Sequence, residues 1–237
     1  MIKQGALIFD LYGTLIDIET NEEDLSVYAA LSRYLAYYQV RIGPEDLKAA
    51  FFGEVSLQIR AAAHREVDVF EIFSTIMHRH GGKRFPPEEA LSSTVLFRSL
   101  TMRRFGLFPG VRAFLEEMSG NFLTALVSDA QWAFAEPELR MLDLERYFQS
   151  KIISSRIGYR KPDPRPFEAA MRELKVHPEE CVYIGDSPER DLQGARNAGI
   201  RCVLFGKGAG PFGGLSPDAS FNRYEELYSI LPGLLPA

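Results

Sequence analysis

What the sequence has little of narrows it first. Only two cysteines, Cys181 and Cys202, occur in 237 residues. Each opens a short apolar run, CVYI and CVLF, so both read as buried free thiols, and the count provides no disulfide framework. Histidine is nearly as scarce, with four in the chain. Of these, His78 and His80 stand two apart in a helical stretch, where side chains diverge and make a poor metal pair. No uninterrupted apolar segment is long enough to span a bilayer. The amino-terminal MIKQGALIFD has an apolar stretch too short for a signal h-region and no cleavage pattern. Positive charge is in deficit too: the net charge is −5 and the isoelectric point about 5.5, which points away from nucleic acid and anionic membranes. The expectation is a cytoplasmic enzyme with no nucleic-acid and no membrane partner; nothing in the sequence sets its oligomeric state.

What is present describes a globular chain. Hydrophobic residues make up 46% and charged residues 25%, enough for one large core or for a core plus a smaller unit. Residues 5–10 form a short apolar run that predicts a central parallel strand. From about residue 17 to 106 the spacing is helical. EEDLSVYAALSRYLAYYQV repeats through Leu25, Tyr28, Ala29, Leu31 and Leu35, and Pro44 opens EDLKAAFFGEV. VDVFEIFSTIMHRH stops at Gly81-Gly82, and Pro86-Pro87 precede EEALSSTVLFRSLTMRRF. This block predicts four helices with no strand between them.

After Pro109-Gly110 helix and strand alternate. VRAFLEEMSG reads as helix, NFLTALVS as strand, and QWAFAEPELRML as a helix interrupted or ended near Pro137. KIISS is a strand and DPRPFEAAMRELK a helix with Pro164 in its first turn. CVYIGD, PERDLQGARNAG and IRCVLF follow as strand, helix and strand. Residues 206–220 read as a loop and YEELYSILPGLL as one short helix. The order predicts an α/β fold: a doubly wound parallel sheet with right-handed crossovers. The helical block is inserted after its first strand.

Four places carry residues suited to chemistry. Asp10 ends the first strand, where open α/β sheets keep their sites, and a carboxylate there can attack an electrophile. Gly13 frees the backbone to turn, and Thr14 can orient that carboxylate or bind a substrate oxygen. Ser128, followed by Asp129, ends the strand FLTALV, and its hydroxyl and the following N–H groups can hold an anionic oxygen. Lys161 is pushed toward an extended conformation by Pro162 and can bring an ammonium to Asp10 and a bound anion. Asp186 and Asp191 flank the turn GDSPERD, so three acids would converge and either raise one another's pKa or share a cation. Oxygen donors without His or Cys favour Mg²⁺. Singly, each has a bland alternative: a turn cap, a solvated lysine, a helix N-cap. Arg160 and Arg165 read mainly as solvated, and Trp132, Tyr34, Tyr37 and Tyr38 as packing.

The ordered set of Asp10 in DLYGT, Ser128, Lys161 in KPDP and Asp186 in GDSPERD resembles the four motifs of the haloacid dehalogenase (HAD) superfamily. The match spans almost the whole chain, and the helical insert resembles that superfamily's all-α C1-type cap. The resemblance implies a Rossmann-like core over residues 1–16 and 107–237 and a cap over 17–106. It implies a hydrolase in which Asp10 is the nucleophile, Ser128 binds the transferring group and Lys161 holds nucleophile and substrate charge. Asp186 would ligate Mg²⁺, the backbone carbonyl of Tyr12 would add a ligand, and Asp191 would support the site or orient Lys161. The substrate implied is a small, anionic, phosphorylated metabolite.

Tyr12 departs from the phosphatase pattern, which has Asp there as general acid and base. A tyrosine with a pKa of about 10 can donate a proton but is poorly matched to both steps. Tyr12 in DLYGT resembles the 2-haloacid dehalogenases, whereas GDSPERD is of the metal-binding, phosphatase kind and Asp129 stands where the dehalogenases carry Asn. The expected activity is therefore a Mg²⁺-dependent phosphatase, with a 2-haloacid dehalogenase or a weakly active or binding-only protein as alternatives. Arg41 and Arg60 are candidates for a dehalogenase's cap arginine. Glu22, Glu23 and Glu66 are cap acids able in principle to reach in, and Lys83, Arg84, Arg98, Arg103 and Arg104 face either site or solvent.

Overall fold

The structure, a computed structural model, describes residues 5–61, 66–206, 208 and 210–235; the MIKQ terminus, His64, and Lys207 and Ala209 of the expected 206–220 loop lie outside them. Its organising element is β1 (Ala6–Phe9), four residues with no exposed side chain. It lies between β4 (Leu123–Ser128) and β6 (Cys181–Gly185), with Ile8 opposite both Ala125 and Tyr183. With β5 (Ser150–Ile153), β7 (Arg201–Phe205) and β8 (Ala219–Phe221) the parallel sheet runs β5-β4-β1-β6-β7-β8. Chain order moves outward from β1 on one side and returns to its other side, so the switch point lies at the ends of β1, β4 and β6.

Alternation along the strands splits the core into two layers. Leu7 and Phe9 face a cluster with Leu126, Val182, Ile184, Phe114 and Tyr224. Ala6 and Ile8 face one with Val127, Tyr183, Cys202, Phe167 and Leu192. α5 (Val111–Asn121) and α10 (Leu227–Ile230) cover the first face. α8 (Arg165–Leu174) and α9 (Gln193–Asn197) cover the second. α6 (Trp132–Met141) follows β4, and the one-turn α7 (Ser154–Ile157) follows β5. Both cysteines are buried free thiols.

Four helices lie between β1 and β4: α1 (Leu25–Tyr37), α2 (Pro44–Ala61), α3 (Val69–Gly81) and α4 (Pro87–Thr101); α5 follows them. Asp24 and Asp68 accept from first-turn N–H groups of α1 and α3. Tyr28, Phe51, Phe73 and Phe97, each at most 1% exposed, form a cluster separate from the sheet layers. That cluster also takes in Ala133 and Phe134 of α6.

Several expectations are corrected. The fourth helix stops at Thr101, and Met102–Leu107 is a strand (β3) paired antiparallel with β2 (Ile16–Thr20). Arg104 ties that ribbon by pairing with Asp17 and Glu19, each at 2.9 Å. Its strands are short and 85 positions separate Arg104 from Glu19, so local periodicity does not register them. α6 runs through Pro137 to Met141 rather than ending there. The segment after β6 begins as a wide i→i+5 turn (Pro188–Leu192) before α9. β8 begins inside the expected 206–220 loop, and the tail is two 3₁₀ turns around α10. Tyr37 is 82% exposed rather than packed. No helix among the described residues is long and apolar enough to cross a membrane.

Candidate active site

The three strand ends at the switch point bring Asp10, Ser128 and Asp186 together. The chain leaves β1 with the Asp10 N–H donating to the Ile184 carbonyl at 2.9 Å, which anchors the carboxylate to the sheet. It then turns at Gly13, whose φ is +84° and where a Cβ would lie 2.4 Å from Asp186 Oδ2. Only glycine lets these two loops close on each other. A Cβ on Gly185 would likewise meet Asp191 Cγ at 2.5 Å. Thr14 is fully buried, and Ser128 is 3% exposed.

Lys161 binds the cluster together. Its Nζ donates to Asp10 Oδ1 at 2.7 Å, to Asp191 Oδ1 at 2.6 Å and to the Tyr183 hydroxyl at 2.9 Å. Its own N–H donates to Asp129 Oδ1 at 2.9 Å. The Tyr183 hydroxyl proton faces Asp191 Oδ1 at 2.9 Å and the Val127 carbonyl at 3.1 Å. Asp191 Oδ2 accepts from the N–H groups of Asp186 at 3.0 Å and Ser187 at 2.9 Å. Every oxygen of Asp191 is thus engaged, so it positions Lys161 and the turn.

The electrostatics follow from burial. Burial works against the Lys161 ammonium, yet Asp10, Asp191 and Asp129 outweigh it and hold the group charged, above the usual lysine range. Burial also raises Asp10, with Lys161 opposing and Asp191 adding to the effect. For Asp191, burial is outweighed by Lys161 and by hydrogen bonds, leaving it below the ordinary value. Burial, then the charges of Asp10 and Asp191, push Asp186 up to about 6.

Four buried polar atoms here have no hydrogen-bond partner among the described residues: Thr14 Oγ1, Ser128 Oγ, Asp129 Oδ2 and Asp186 Oδ1. Unpaired buried polar groups are costly, and these four lie on the segments at the ends of β1, β4 and β6. Asp10, Asp186 and Asp191 each offer a carboxylate oxygen within 4.8 Å of the others. The oxygen-only donor set, with Asp186 Oδ1 open, fits a hard divalent cation.

Tyr12 belongs to a different cluster. Its hydroxyl donates to Glu138 Oε2 at 2.5 Å. Glu138, 2% exposed, also accepts from Arg98 Nε at 2.7 Å and from its second nitrogen at 3.2 Å. The Arg98 guanidinium lies over the rings of Tyr12, at 5.2 Å, and Phe134, at 4.9 Å. Burial and the Glu138 charge push the Tyr12 hydroxyl far above the ordinary tyrosine value.

Beside Lys161 opens a cavity of about 470 Å³ lined by Glu66, Asp129, Arg160, Pro162, Glu189 and Arg190. Glu66 accepts from Ser154 Oγ at 3.0 Å, which brings the insert to the core. Arg190 feels the charges of Asp191, Asp10, Asp129 and Asp186. Glu22 is half-buried near Arg98, and burial raises its carboxyl. The other charged candidates lie away from the cluster. Glu23 pairs with Lys48 at 2.7 Å, and Arg103 pairs with Asp24 at 2.7 Å. Arg41, Arg60, Lys83 and Arg84 are exposed. Sequence reasoning missed Tyr183, Glu138 and Arg190. For Tyr183 a signal existed: a tyrosine inside a fully buried strand needs a polar partner for its hydroxyl.

A family model described as a haloacid dehalogenase-like hydrolase matches residues 5–199. The phosphoserine phosphatase of Thermus thermophilus is 33% identical over 160 residues, covering 66% of this chain and 62% of that protein. The chain therefore spans less than two thirds of that relative's length. The phosphoglycolate phosphatase of Salmonella typhimurium is 27% identical over 237 residues, covering 94% and 90%. Among solved structures, a 2-haloacid dehalogenase from Pseudomonas syringae superposes with a TM-score of 0.69 at 23% identity, covering 98% of this chain and 99% of that one. A HAD phosphatase from Thermococcus onnurineus gives 0.62 at 23% identity, covering 98% and 100%. At such identities these two likenesses establish the fold alone.

Proposed function

The chain belongs to the haloacid dehalogenase-like hydrolases, and from that premise we propose that it is a cytoplasmic, Mg²⁺-dependent phosphatase of small phosphorylated metabolites. Residues 17–106 act as a cap over a core of 1–16 and 107–237. The observation that carries the reading is Asp186 Oδ1, buried without a partner beside Asp10 in an oxygen-only cluster. The phosphatase names of its relatives point the same way.

Asp10 is the nucleophile: its carboxylate attacks phosphorus and the leaving oxygen departs, giving an acyl phosphate that water hydrolyses. Lys161, fixed between Asp10 and Asp191, balances the charge of nucleophile and phosphoryl group. Ser128 Oγ and Thr14 Oγ1, both open, receive phosphoryl oxygens. Asp10, Asp186 and the Tyr12 carbonyl would hold Mg²⁺, which when bound would neutralise charge on the transferring group. Asp191 keeps Lys161 and the Asp186 turn in register.

Tyr12 itself favours a second reading, a 2-haloacid dehalogenase. That reading requires a cap arginine; both sequence candidates, Arg41 and Arg60, are exposed, and the half-buried Arg98 of the same segment is held by Glu138. One assay separates the two. Turnover of an aryl phosphate with Mg²⁺, abolished by EDTA and by Asp10→Asn, is expected. Halide release from a 2-haloacid that is indifferent to EDTA overturns the phosphatase reading.

A further inference from the structure

We propose that Asp129 is the general acid and base of this reaction, in the role Tyr12 leaves open; the inference rests on the phosphatase reading above. The Tyr12 hydroxyl already donates to Glu138 at 2.5 Å under Arg98, so its proton is committed away from Asp10. The other nearby carboxylates are engaged as well. Asp10 carries the nucleophilic oxygen, Asp186 packs on Gly13 at the metal side, and both Asp191 oxygens accept hydrogen bonds. Glu66 accepts from Ser154, and Glu189 is exposed.

Asp129 shares an open oxygen with Asp186 but lies away from the metal side, next to Ser128. Oδ1 is fixed by the Lys161 N–H, which sets the plane of the carboxyl, while Oδ2 is buried and has no partner among the described residues. The side chain lines the cavity that reaches Lys161, one residue after the Ser128 hydroxyl. An open carboxyl oxygen on a residue that lines the cavity at Lys161 can exchange a proton with a leaving group bound there. Its charged surroundings are Lys161, Arg160 and Arg190 on one side and Glu66 and Glu189 on the other. Burial raises its pKa against the pull of Lys161, with Glu66 adding to the rise, which helps it keep a proton for donation.

The protons balance over two steps. As the Asp10 oxygen bonds to phosphorus, the bond to the leaving oxygen breaks, and that oxygen takes the Asp129 proton. Water then attacks phosphorus and gives its proton to the Asp129 carboxylate. The Asp10–phosphorus bond breaks, and its electron pair returns to Asp10. One water is consumed; an alcohol and phosphate are released.

Asp129→Asn tests this in the full chain with saturating Mg²⁺, because Asn keeps the acceptor for the Lys161 N–H and removes only the acid. Two substrates are compared, 2-phosphoglycolate and p-nitrophenyl phosphate, whose phenolate leaves without a proton. The expected loss of kcat on the alkyl phosphate is about 10²–10⁴-fold. The aryl phosphate should still give a burst of one p-nitrophenol per site followed by slow turnover, and the alkaline limb of the alkyl-phosphate pH profile should disappear. Loss of the aryl-phosphate burst, no loss of kcat on either substrate, or the same leaving-group signature in Glu66→Gln instead would overturn the assignment. A wild-type protein that turns over neither phosphate ester defeats the phosphatase reading, and this inference with it.

Discussion

Two buried clusters meet at the end of β1, and they are built from the same parts. Each sets a cation against carboxylate and adds a tyrosine hydroxyl: Lys161 with Asp10, Asp191 and Tyr183, and Arg98 with Glu138 and Tyr12. In the first, neighbouring acceptors are left open at Ser128 Oγ, Asp129 Oδ2 and Asp186 Oδ1. In the second, both Glu138 oxygens accept hydrogen bonds, and the guanidinium lies near the rings of Tyr12 and Phe134. The first cluster joins β6, the helical turn after it and the segments carrying Asp10 and Lys161, while the second ties α4 to α6. Unmet polar capacity in the first cluster leaves groups free to bind a ligand, and full satisfaction in the second leaves none.

The sharpest way to break this contrast is Lys161→Met. It leaves Asp10 and Asp191 buried without their cation, a change that costs about 3–5 kcal/mol. Turnover should fall by at least about 10²-fold, since preorganised charge stabilisation is lost. Urea denaturation and an aryl-phosphate assay read the two effects. A variant with wild-type turnover would remove Lys161 from the machinery.

Arg98→Met should produce the opposite division. It strands the Glu138 carboxylate and lowers stability by about 3 kcal/mol, with kcat on an aryl phosphate within a few-fold of wild type. Adding Glu138→Leu should recover most of the lost stability, because both charges are then absent. A double-mutant cycle without coupling, or a loss of kcat comparable to Lys161→Met, would erase the distinction between the clusters.

The smallest effect concerns pH. Asp186 has its folded-state pKa raised from 3.8 to about 6. For this group, stabilisation is present below the unfolded value and lost as pH rises through about 6. Mg²⁺ binds the deprotonated form, so the rise in Tm on adding Mg²⁺ should be larger at pH 7.5 than at pH 5. An increment that is flat across this range, or reversed, would exclude Asp186 as a metal ligand.

Asp10, Ser128, Lys161 and Asp186 were legible because each of the three acids and hydroxyls follows an apolar strand run, and Lys161 precedes a proline at a loop-to-helix join. Parallel strands place such ends side by side. The Arg98–Glu138 pair and the Tyr12–Glu138 bond had no comparable sign. They join residues 40 and 126 positions apart, and a glutamate inside α6 looks like any solvated helix residue. The β2–β3 ribbon was invisible for the same reason: its ladder forms between chain ends that the insert separates.

By itself the sequence determined a parallel α/β sheet interrupted by helices, and a set of strand-end residues, because hydrophobic periodicity and strand order act locally. Only the tertiary structure decided what Tyr12 does. The side chain could face the nucleophile or turn from it, and the buried Glu138 carboxylate, held by an arginine from the insert, draws the hydroxyl away. A buried charge must find its partners in space, and the linear spacing of residues does not record where those partners are.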